Sequence, residues 1–537
     1  MRIGQARGVS GMVAAAVLAL ALTVGAPPAS AGVTAFKQAV AENAARDDDI
    51  AAFYRARNFE PLWTGEGAEY LLRRQALIEA VQAAPSHGLP TGRYDAPQIL
   101  ALMRGVGNAR DMGEVEVELS KIYLRFARDI QTGVLKPSRA DDGIKREPPY
   151  RDRTALLAAL ETGDPRVTMR GLAPQTHEYA RLMKAKLQLE HIAASGGWGQ
   201  EVPGGALKPG ASGKAVVALR NRLIAMGYLH RSAAAGYDAA LQAAVQTFQE
   251  DHGMEADGVA GPSTIKEINV SARERLESVV VAMERERWLN FPEGRGDRHV
   301  LVNLTDFKAR IIDHDKVTFE TRSVIGHQDL DRRTPEFSDV MEVMVINPSW
   351  HVPRSIIVNE YLPLLRSNPG AAGHLRITDS RGRVVSRSNG FSQYTASNFP
   401  FAMSQPPGPR NALGVVKFLF PNKYNIYLHD TPAKNLFSRE VRTYSHGCIR
   451  LGDPKDFAYA LLAKQTDDPV GFFQSRLRSG VETPVPLEQP IPVHLIYRTA
   501  YTQAKGQIQY RRDVYGRDAK IWNALSAAGV VLGRGDS

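Results

Sequence analysis

The sequence predicts a multidomain α+β protein with a helical scaffold, a compact three-helix unit and a mostly β domain that carries a long insertion. The chain has 537 residues, more than the roughly 100 to 200 residues of one domain. Apolar residues recur at helical spacing up to about residue 195, and short β-rich runs replace that pattern after residue 297. Glycine and proline pairs near residues 196–205 mark a boundary between the first two parts.

Composition and charge exclude several classes of protein. Hydrophobic residues make up 43% of the chain and charged residues 23%, which excludes a polytopic membrane protein and a wholly disordered chain. The formal net charge is +10, but the basic residues are scattered among acidic ones without a long Lys/Arg run. We therefore expect no nucleic-acid partner, although a surface that is positive on average would attract an anionic polymer.

The N-terminus has the pattern of a cleaved signal peptide over residues 1–31. Arg2 and Arg7 precede an apolar run at 12–24, and the small residues Ala29, Ser30 and Ala31 follow. This run is too short to span a bilayer, so export is expected, with a retained signal anchor as the alternative. Cys448 is the only cysteine and can form no intramolecular disulfide in an oxidising compartment.

Residues 32–205, continued in 271–296, are predicted to form the helical scaffold domain. Leu119, Ile122, Tyr123 and Phe126 exemplify its helical spacing. The segment FYRARNFEPLW at 53–63 concentrates aromatic residues. Two interpretations stay open for it: packing in the core, or a clamp for a partner.

The three-helix unit is predicted to span residues 206–270. Leu219, Leu223 and Met226 lie at i, i+4 and i+7 before Gly227, a helix stop, and a second helix with the same pattern follows. The segments LRNRLIAMGYL, YDAALQAAVQTFQEDHGM and DGVAGPSTIKEIN resemble the peptidoglycan-binding three-helix module. That resemblance implies binding to the cell-wall sacculus through a groove that the sequence does not identify.

The mostly β domain is predicted to span residues 297–480. Its expected strands lie at 300–304, 308–312, 317–320, 340–346, 415–420 and 424–428. Many Gly, Pro, Ser and Asn residues occupy 354–409, and so long a connection is usually a lid or a substrate loop. Residues 481–537 are expected to add a strand and a helix that pack on this domain.

Reactive side chains are concentrated near residues 427–450. Tyr427 and His429 point to one face by strand alternation, and the run YSHGCIR at 444–450 gathers a thiol, an imidazole, a hydroxyl and a guanidinium. A neighbouring imidazole can take the proton of a cysteine thiol, whose unperturbed pKa is about 8.5. The alternatives are a buried structural cysteine and a zinc site, which lacks CxxC or HxxH spacing.

The motif HDTP at 429–432 followed by SHGCIR at 445–450 resembles the signature of YkuD-type L,D-transpeptidases. The segments NPSWHVP, GPRNALG and YNIYLHDTP resemble the large Gram-negative subgroup with an inserted wall-binding module. The resemblance implies a periplasmic enzyme with a YkuD-type catalytic domain, a capping insertion and no metal or organic cofactor. It implies Cys448 as nucleophile, His429 as base, His446 as its helper and backbone N–H donors to an oxyanion near Gly447 and Cys448.

The same resemblance implies a 3-3 cross-linking reaction on peptidoglycan stem peptides. A cysteine thioester forms on the diaminopimelate of a tetrapeptide donor, D-Ala leaves, and the diaminopimelate amine of a second stem attacks. Alternatives are a hydrolase or L,D-carboxypeptidase, an enzyme that attaches or releases an outer-membrane lipoprotein, and a non-catalytic wall-binding scaffold. Four further residues are candidates for substrate binding, three of them (Arg450, Tyr427 and Trp350) with a structural alternative: Tyr427, Ser445, Arg450 and Trp350.

Overall fold

The computed structural model describes residues 29–504 and 506–533. Residues 1–28, which hold most of the predicted signal peptide, lie outside the described residues. Within the described part, hydrophobic side chains form four separate cores, one each in the scaffold, the three-helix module, the β domain and the insertion. None of the helices in these residues has both the length and the apolar character to cross a membrane.

The scaffold is helical, as predicted. Its helices are α1 Ala29–Ala44, α2 Asp48–Ala56, α3 Ala68–Gln82, α4 Ala96–Arg104, α5 Ala109–Thr132, α6 Pro137–Ala140, α7 Arg153–Thr162, α8 Pro165–Gly171 and α9 His177–Ala194. The long helix α5 begins at Asn108, whose side chain accepts hydrogen bonds from the backbone N–H groups of Arg110 and Asp111. It ends at Gly133, whose positive φ of 98° suits glycine.

The aromatic segment at 53–63 belongs to the scaffold core. Tyr54 and Trp63 are fully buried. The buried carboxylate of Glu116 accepts hydrogen bonds from the N–H groups of Leu62 at 2.6 Å and Thr64 at 2.8 Å and from the Tyr54 hydroxyl at 2.6 Å. The core-packing interpretation of this segment is therefore confirmed.

The three-helix module packs its helices around a small core of its own: α10 Lys214–Ala225, α11 Ala239–Asp251 and α12 Pro262–Ile268. Hydrogen bonds join the module to the C-terminal part of the chain. Gln509 Nε2 donates to the Asp251 carboxylate at 2.5 Å, and Arg511 donates to the Asp251 carbonyl at 2.8 Å.

The chain then returns to the scaffold through α13 Ala272–Arg287, which a Ser271–Glu274 capping box opens. Arg285 on this helix is buried and bridges Glu336, at 2.5 Å, and Asp518, at 2.9 Å. Because a buried charge is costly without its partners, this ion-pair network fixes the scaffold against the β domain.

The strands lie in the second half of the chain: β1 Arg298–Asn303, β2 Lys308–Asp313, β3 Lys316–Gly326, β4 Phe337–Ile346, β5 Trp350–His351, β6 Arg376–Thr378, β7 Ala402–Gln405, β8 Val416–Leu419, β9 Leu428–His429, β10 Thr443–Ser445, β11 Ile449–Leu451, β12 Thr483–Ile496, β13 Ala500–Tyr501 and β14 Gln509–Tyr510. Nine of them form one sheet in the order β10-β3-β11-β9-β8-β4-β12-β1-β2. β2 also pairs with β3, so the sheet closes on itself. The mostly β architecture predicted from the sequence is confirmed.

The predicted strand at 424–428 is wrong over most of its length. Only Leu428 and His429 are extended in a ladder, and residues before them turn around Asn422. The Asn422 side-chain oxygen accepts from the N–H groups of Tyr424 and Ile426, and Asn425 has a positive φ of 55°. The asparagine side chain therefore takes the hydrogen bonds that a neighbouring strand would have made.

The insertion folds as a small subdomain, which we call the lid (residues 350–409). Its three-stranded sheet has the order β5-β7-β6 and lies apart from the main sheet. Its helical part is α14 Arg354–Ile356, a π-helical segment Ile357–Tyr361 and α15 Leu362–Ser367. Leu365, Phe391 and Phe399 are buried in its own core.

The last helices of the chain are α16 Pro454–Leu462, α17 Pro469–Arg478 and α18 Arg517–Ala527. The C-terminal segment was expected to pack as a whole on the β domain, and this is wrong for its helix. β12 lies between β4 and β1 in the main sheet, whereas Ile521 and Leu525 of α18 are fully buried in the scaffold core.

Candidate active site

Strand pairing brings four of the candidate side chains to one face of the main sheet. β11 runs parallel to β9, with Ile449 opposite Leu428 and Arg450 opposite His429. The Ile449 N–H donates to the Tyr427 carbonyl at 3.1 Å, which extends this register to the preceding residues. Since residues opposite each other share a face and side chains alternate along a strand, Tyr427, His429, Cys448 and Arg450 lie together.

Hydrogen bonds of the Ser445 side chain stabilise the turn before the cysteine. Ser445 Oγ accepts the Gly447 N–H at 3.0 Å and donates to the Cys448 carbonyl. Gly447 has a φ of 116°, and a Cβ there would lie 3.1 Å from Ile426, so glycine is required. Ser445 is buried and its hydroxyl braces the turn, while the substrate-binding role predicted for it stays a prediction.

The turn leaves one backbone donor beside the thiol. The Gly447 N–H is engaged by Ser445, whereas no acceptor among the described residues takes the Cys448 N–H. Of the two backbone donors expected near Gly447 and Cys448, the Cys448 N–H is thus the one left free to stabilise an oxyanion.

The thiol of Cys448 lies in a confined setting. Its Sγ is 3.4 Å from the Asn425 carbonyl oxygen. Burial raises the pKa of the Cys448 thiol to about 11, and a hydrogen bond with the Tyr427 hydroxyl offsets this only in part. Cys448 is therefore a neutral thiol at rest and needs a base before it can attack.

His429 is held in the tautomer that a base requires. Its Nδ1 lies 2.5 Å from the Asp430 carbonyl oxygen, and because a carbonyl only accepts, Nδ1 carries the proton and Nε2 is free to take one. Burial, reinforced by the charge of Arg450, lowers the pKa of His429 to about 3. The Asp430 carboxylate fixes this segment by accepting from the Val415 N–H at 2.9 Å and from Lys434 at 2.6 Å.

In this state no hydrogen bond joins His429 to Cys448 within the described residues. Both groups are uncharged at neutral pH and lie on one face, an arrangement suited to general-base activation of a thiol. Catalytic hydrogen bonds commonly tighten only when the substrate is bound.

Arg450 offers a positive charge on the same face. Its buried Nε has no hydrogen-bond partner within the described part of the chain, and burial lowers its pKa. The alternative that Arg450 braces its loop thus lacks the hydrogen bonds it requires. A partly buried guanidinium without a partner suits a carboxylate that arrives with a ligand.

The contacts of His446 and Trp350 are with residues of the lid. His446 Nε2 is 2.5 Å from Glu360 Oε1 in the lid, so the imidazole faces the lid and makes no contact with His429. Trp350 pairs with Gln405 at the base of the lid, where its ring is 6.5 Å from that of Tyr361. The predicted site is thus divided between the sheet face and the lid.

Three groups of the site were not identified from the sequence: the carbonyl of Asn425, the carbonyl of Asp430 and the carboxylate of Glu360. Asp430 lies within the HDTP motif, and that motif was the available signal. Glu360 is isolated in a segment without a motif, so only the fold reveals it. No group of three or more His, Cys, Asp or Glu side chains placed to hold a metal ion occurs in the part of the chain described.

Three family models match successive parts of the chain. A model described as "Scaffold domain" matches residues 48–185, one described as "Putative peptidoglycan binding domain" matches 212–268, and the YkuD model, described as "L,D-transpeptidase catalytic domain", matches 297–485. The three ranges correspond to the helical scaffold, the three-helix module and the β domain with its lid.

One curated relative and two solved structures are similar to parts of the chain. A Haemophilus influenzae protein named "Putative L,D-transpeptidase" is 30% identical over 264 residues, 48% of this chain and 50% of that protein. The chain thus spans about half the length of this relative. L,D-transpeptidase structures from Xylanimonas cellulosilytica and Stackebrandtia nassauensis are 15% and 14% identical and cover 55% and 56% of this chain and 98% and 97% of their own. Their TM-scores are 0.17 and 0.21.

Proposed function

We propose that the chain forms 3-3 cross-links in peptidoglycan through a thioester on Cys448, because it matches both the YkuD model of an L,D-transpeptidase catalytic domain and the model of a peptidoglycan binding domain. The observation that carries the proposal is the pairing of β9 with β11, which places Cys448 and a neutral His429 with a free Nε2 on one face.

The first half-reaction forms the thioester. His429 Nε2 takes the proton of the Cys448 thiol as Sγ attacks the carbonyl carbon at the L-centre of the donor diaminopimelate. The Cys448 N–H stabilises the oxyanion. The carbon–nitrogen bond to D-Ala then breaks, and the imidazolium returns its proton to the departing amine, so that His429 is neutral again.

The second half-reaction forms the cross-link. The side-chain amine of diaminopimelate on a second stem attacks the thioester carbonyl and gives a proton to His429. The carbon–sulfur bond breaks, and the proton passes from His429 to the departing Sγ. Each cycle exchanges one peptide bond for another, and every proton is accounted for without a metal or an organic cofactor.

Arg450 and Tyr427 are proposed to position the donor. The unpartnered Nε of Arg450 suits a stem-peptide carboxylate. The Tyr427 hydroxyl lies in hydrogen-bonding reach of the thiol, where it also borders the attacked carbonyl. His446, turned toward the lid, is not the base in this scheme.

The three-helix module is proposed to bring the enzyme to its substrate, and the lid to favour transfer to an amine over hydrolysis. The module raises the local concentration of enzyme on the sacculus in the periplasm. The lid shields the thioester, since an amine outcompetes water only where water is kept out. A lysine on an outer-membrane lipoprotein would be an alternative acceptor with the same chemistry.

The proposal is tested by D-Ala release from a purified disaccharide tetrapeptide. We expect release by the full chain and none by Cys448→Ala or Cys448→Ser, with unchanged circular dichroism for both variants. Release by Cys448→Ala would refute the thioester. Release by the full chain with tripeptide as the only product would instead identify a hydrolase.

A further inference from the structure

The lid is built as a separate body with two connections to the catalytic domain. It has its own core and its own sheet. The two connecting segments meet at its base, where the Asn411 side chain donates to the carbonyls of Pro348 at 3.0 Å and Gln405 at 3.2 Å. A body attached in this way can move as a unit about its base. Side-chain contacts between the catalytic domain and the part of the lid away from that base therefore decide how firmly the lid closes.

Glu360 makes such a contact on the face of the lid that meets the catalytic domain. Its Oε1 accepts from His446 Nε2 at 2.5 Å and lies 3.4 Å from an Arg332 guanidinium nitrogen. His446 is two residues before the nucleophile. The Arg332 carbonyl oxygen lies 3.8 Å from the position of a Cβ at Gly447, so both partners border the turn that carries Cys448.

Two features of the lid single out the Glu360 carboxylate: its backbone geometry and the scarcity of other acidic residues. Glu360 lies in the π-helical segment between α14 and α15, a rare geometry that is frequent at functional sites. The lid contains six arginines and only two acidic residues, Glu360 and Asp379. Asp379 is used within the lid, where it accepts from the Arg381 and Arg383 backbone N–H groups and from the Arg383 side chain.

We propose that Glu360 is the latch of the lid and that its contact with His446 and Arg332 holds the lid closed over Cys448. The inference rests on the proposed function for its catalytic consequence, but the latch itself is a structural claim. Glu360 touches neither the thiol nor His429, so it is a positioning residue that acts through His446 and the turn behind it.

The latch is suited to repeated opening. The side chains of Glu360, His446 and Arg332 are each about a third exposed, at 34% to 35%. Ion pairs with this much exposure are weak because water competes for both partners. Loss of the contact should therefore change the balance between open and closed lid by about twofold to fivefold, and a substrate can displace it.

The test compares Glu360→Ala and Glu360→Gln with Asp379→Ala, which removes the other lid carboxylate. Amide hydrogen exchange over residues 354–367 reports the position of the lid without any substrate. In Glu360→Ala we expect exchange to become about twofold to fivefold faster there, with an intermediate effect in Glu360→Gln, whose amide oxygen still accepts from His446. Asp379→Ala should exchange as the unchanged protein does at 354–367.

The second readout is the ratio of hydrolysed tripeptide to cross-linked dimer, which should rise in Glu360→Ala while D-Ala release continues. The latch would be overturned if Glu360→Ala showed both the same amide exchange at 354–367 and the same product ratio as the unchanged protein. Loss of D-Ala release with unchanged exchange would also overturn it, by showing that Glu360 acts on the substrate. Arg332→Ala, which removes one partner and leaves the lid sequence intact, should show the same direction as Glu360→Gln. If the protein releases no D-Ala at all, the exchange measurement still decides the latch, and only the proposed function fails.

Discussion

Carboxamidomethylation of Cys448 by iodoacetamide, followed as a function of pH, tests whether the nucleophile is stored as a neutral thiol. With a pKa of about 11, about 1 in 10,000 molecules holds the thiolate at pH 7, against about 3% for a free cysteine of pKa about 8.5. The thiolate population is therefore about 300-fold smaller. A more basic thiolate is a better nucleophile, with a Brønsted coefficient of about 0.4–0.5, which reduces the expected deficit in rate to about 20- to 30-fold.

The assay is intact-mass spectrometry of the full chain at a series of pH values, with N-acetylcysteine alkylated in parallel. Because burial raises the pKa of Cys448, the thiolate fraction should grow about tenfold per pH unit up to about pH 10, and the alkylation rate with it. The lid lowers the absolute rate but leaves the shape of the profile unchanged. A rate that levels off below about pH 8 would mean a preformed thiolate paired with a protonated His429, and would refute the neutral-pair mechanism.

Three further outcomes are expected. A carbapenem should add once to the protein, at Cys448, because its strained carbonyl imitates the donor carbonyl. Intact-mass spectrometry should show no adduct in Cys448→Ala, and an adduct on a serine would point to another nucleophile. A folded variant that lacks residues 206–270 should lose most of its binding in sacculus pull-down yet still release D-Ala from soluble tetrapeptide, and undiminished pull-down would give the module another role. Glu116→Ala should lower the free energy of urea unfolding of the scaffold by about 3 to 5 kcal/mol, since it leaves the buried N–H groups of Leu62 and Trp63 without an acceptor. The control Glu118→Ala, at a partly exposed residue, should cost less than about 1 kcal/mol.

The parts of the fold that follow from local patterns were predictable from the sequence. Apolar spacing marks the scaffold and module helices, and alternating or β-branched runs mark β1 to β4 and β8. Cys448 and His429 were identifiable because the single thiol lies in the short motif SHGCIR and a second imidazole opens the nearby motif HDTP. These are signals that neighbouring residues carry by themselves.

Other features depend on contacts between distant segments, and no local pattern encodes them. The tyrosine-rich run at 424–428 has high β propensity, but the hydrogen bonds of Asn422 override it. The helix α18 is amphipathic whichever core receives it, and only the tertiary fold places Ile521 in the scaffold. The hydrogen bond of Ser445 to the Gly447 N–H forms only when the turn around Gly447 closes. Glu360 acquires its contact only when the lid folds back across the sheet.

The central claim, a Cys448 thioester resolved by an amine, is tested most directly by mass spectrometry of the muropeptides formed when purified full-length protein is incubated with tetrapeptide-rich sacculi. The account predicts dimers joined between two diaminopimelate residues, with one D-Ala released for each dimer, and neither product with Cys448→Ala. Sacculi left unchanged by the folded protein, or the same dimers formed by Cys448→Ala, would contradict it.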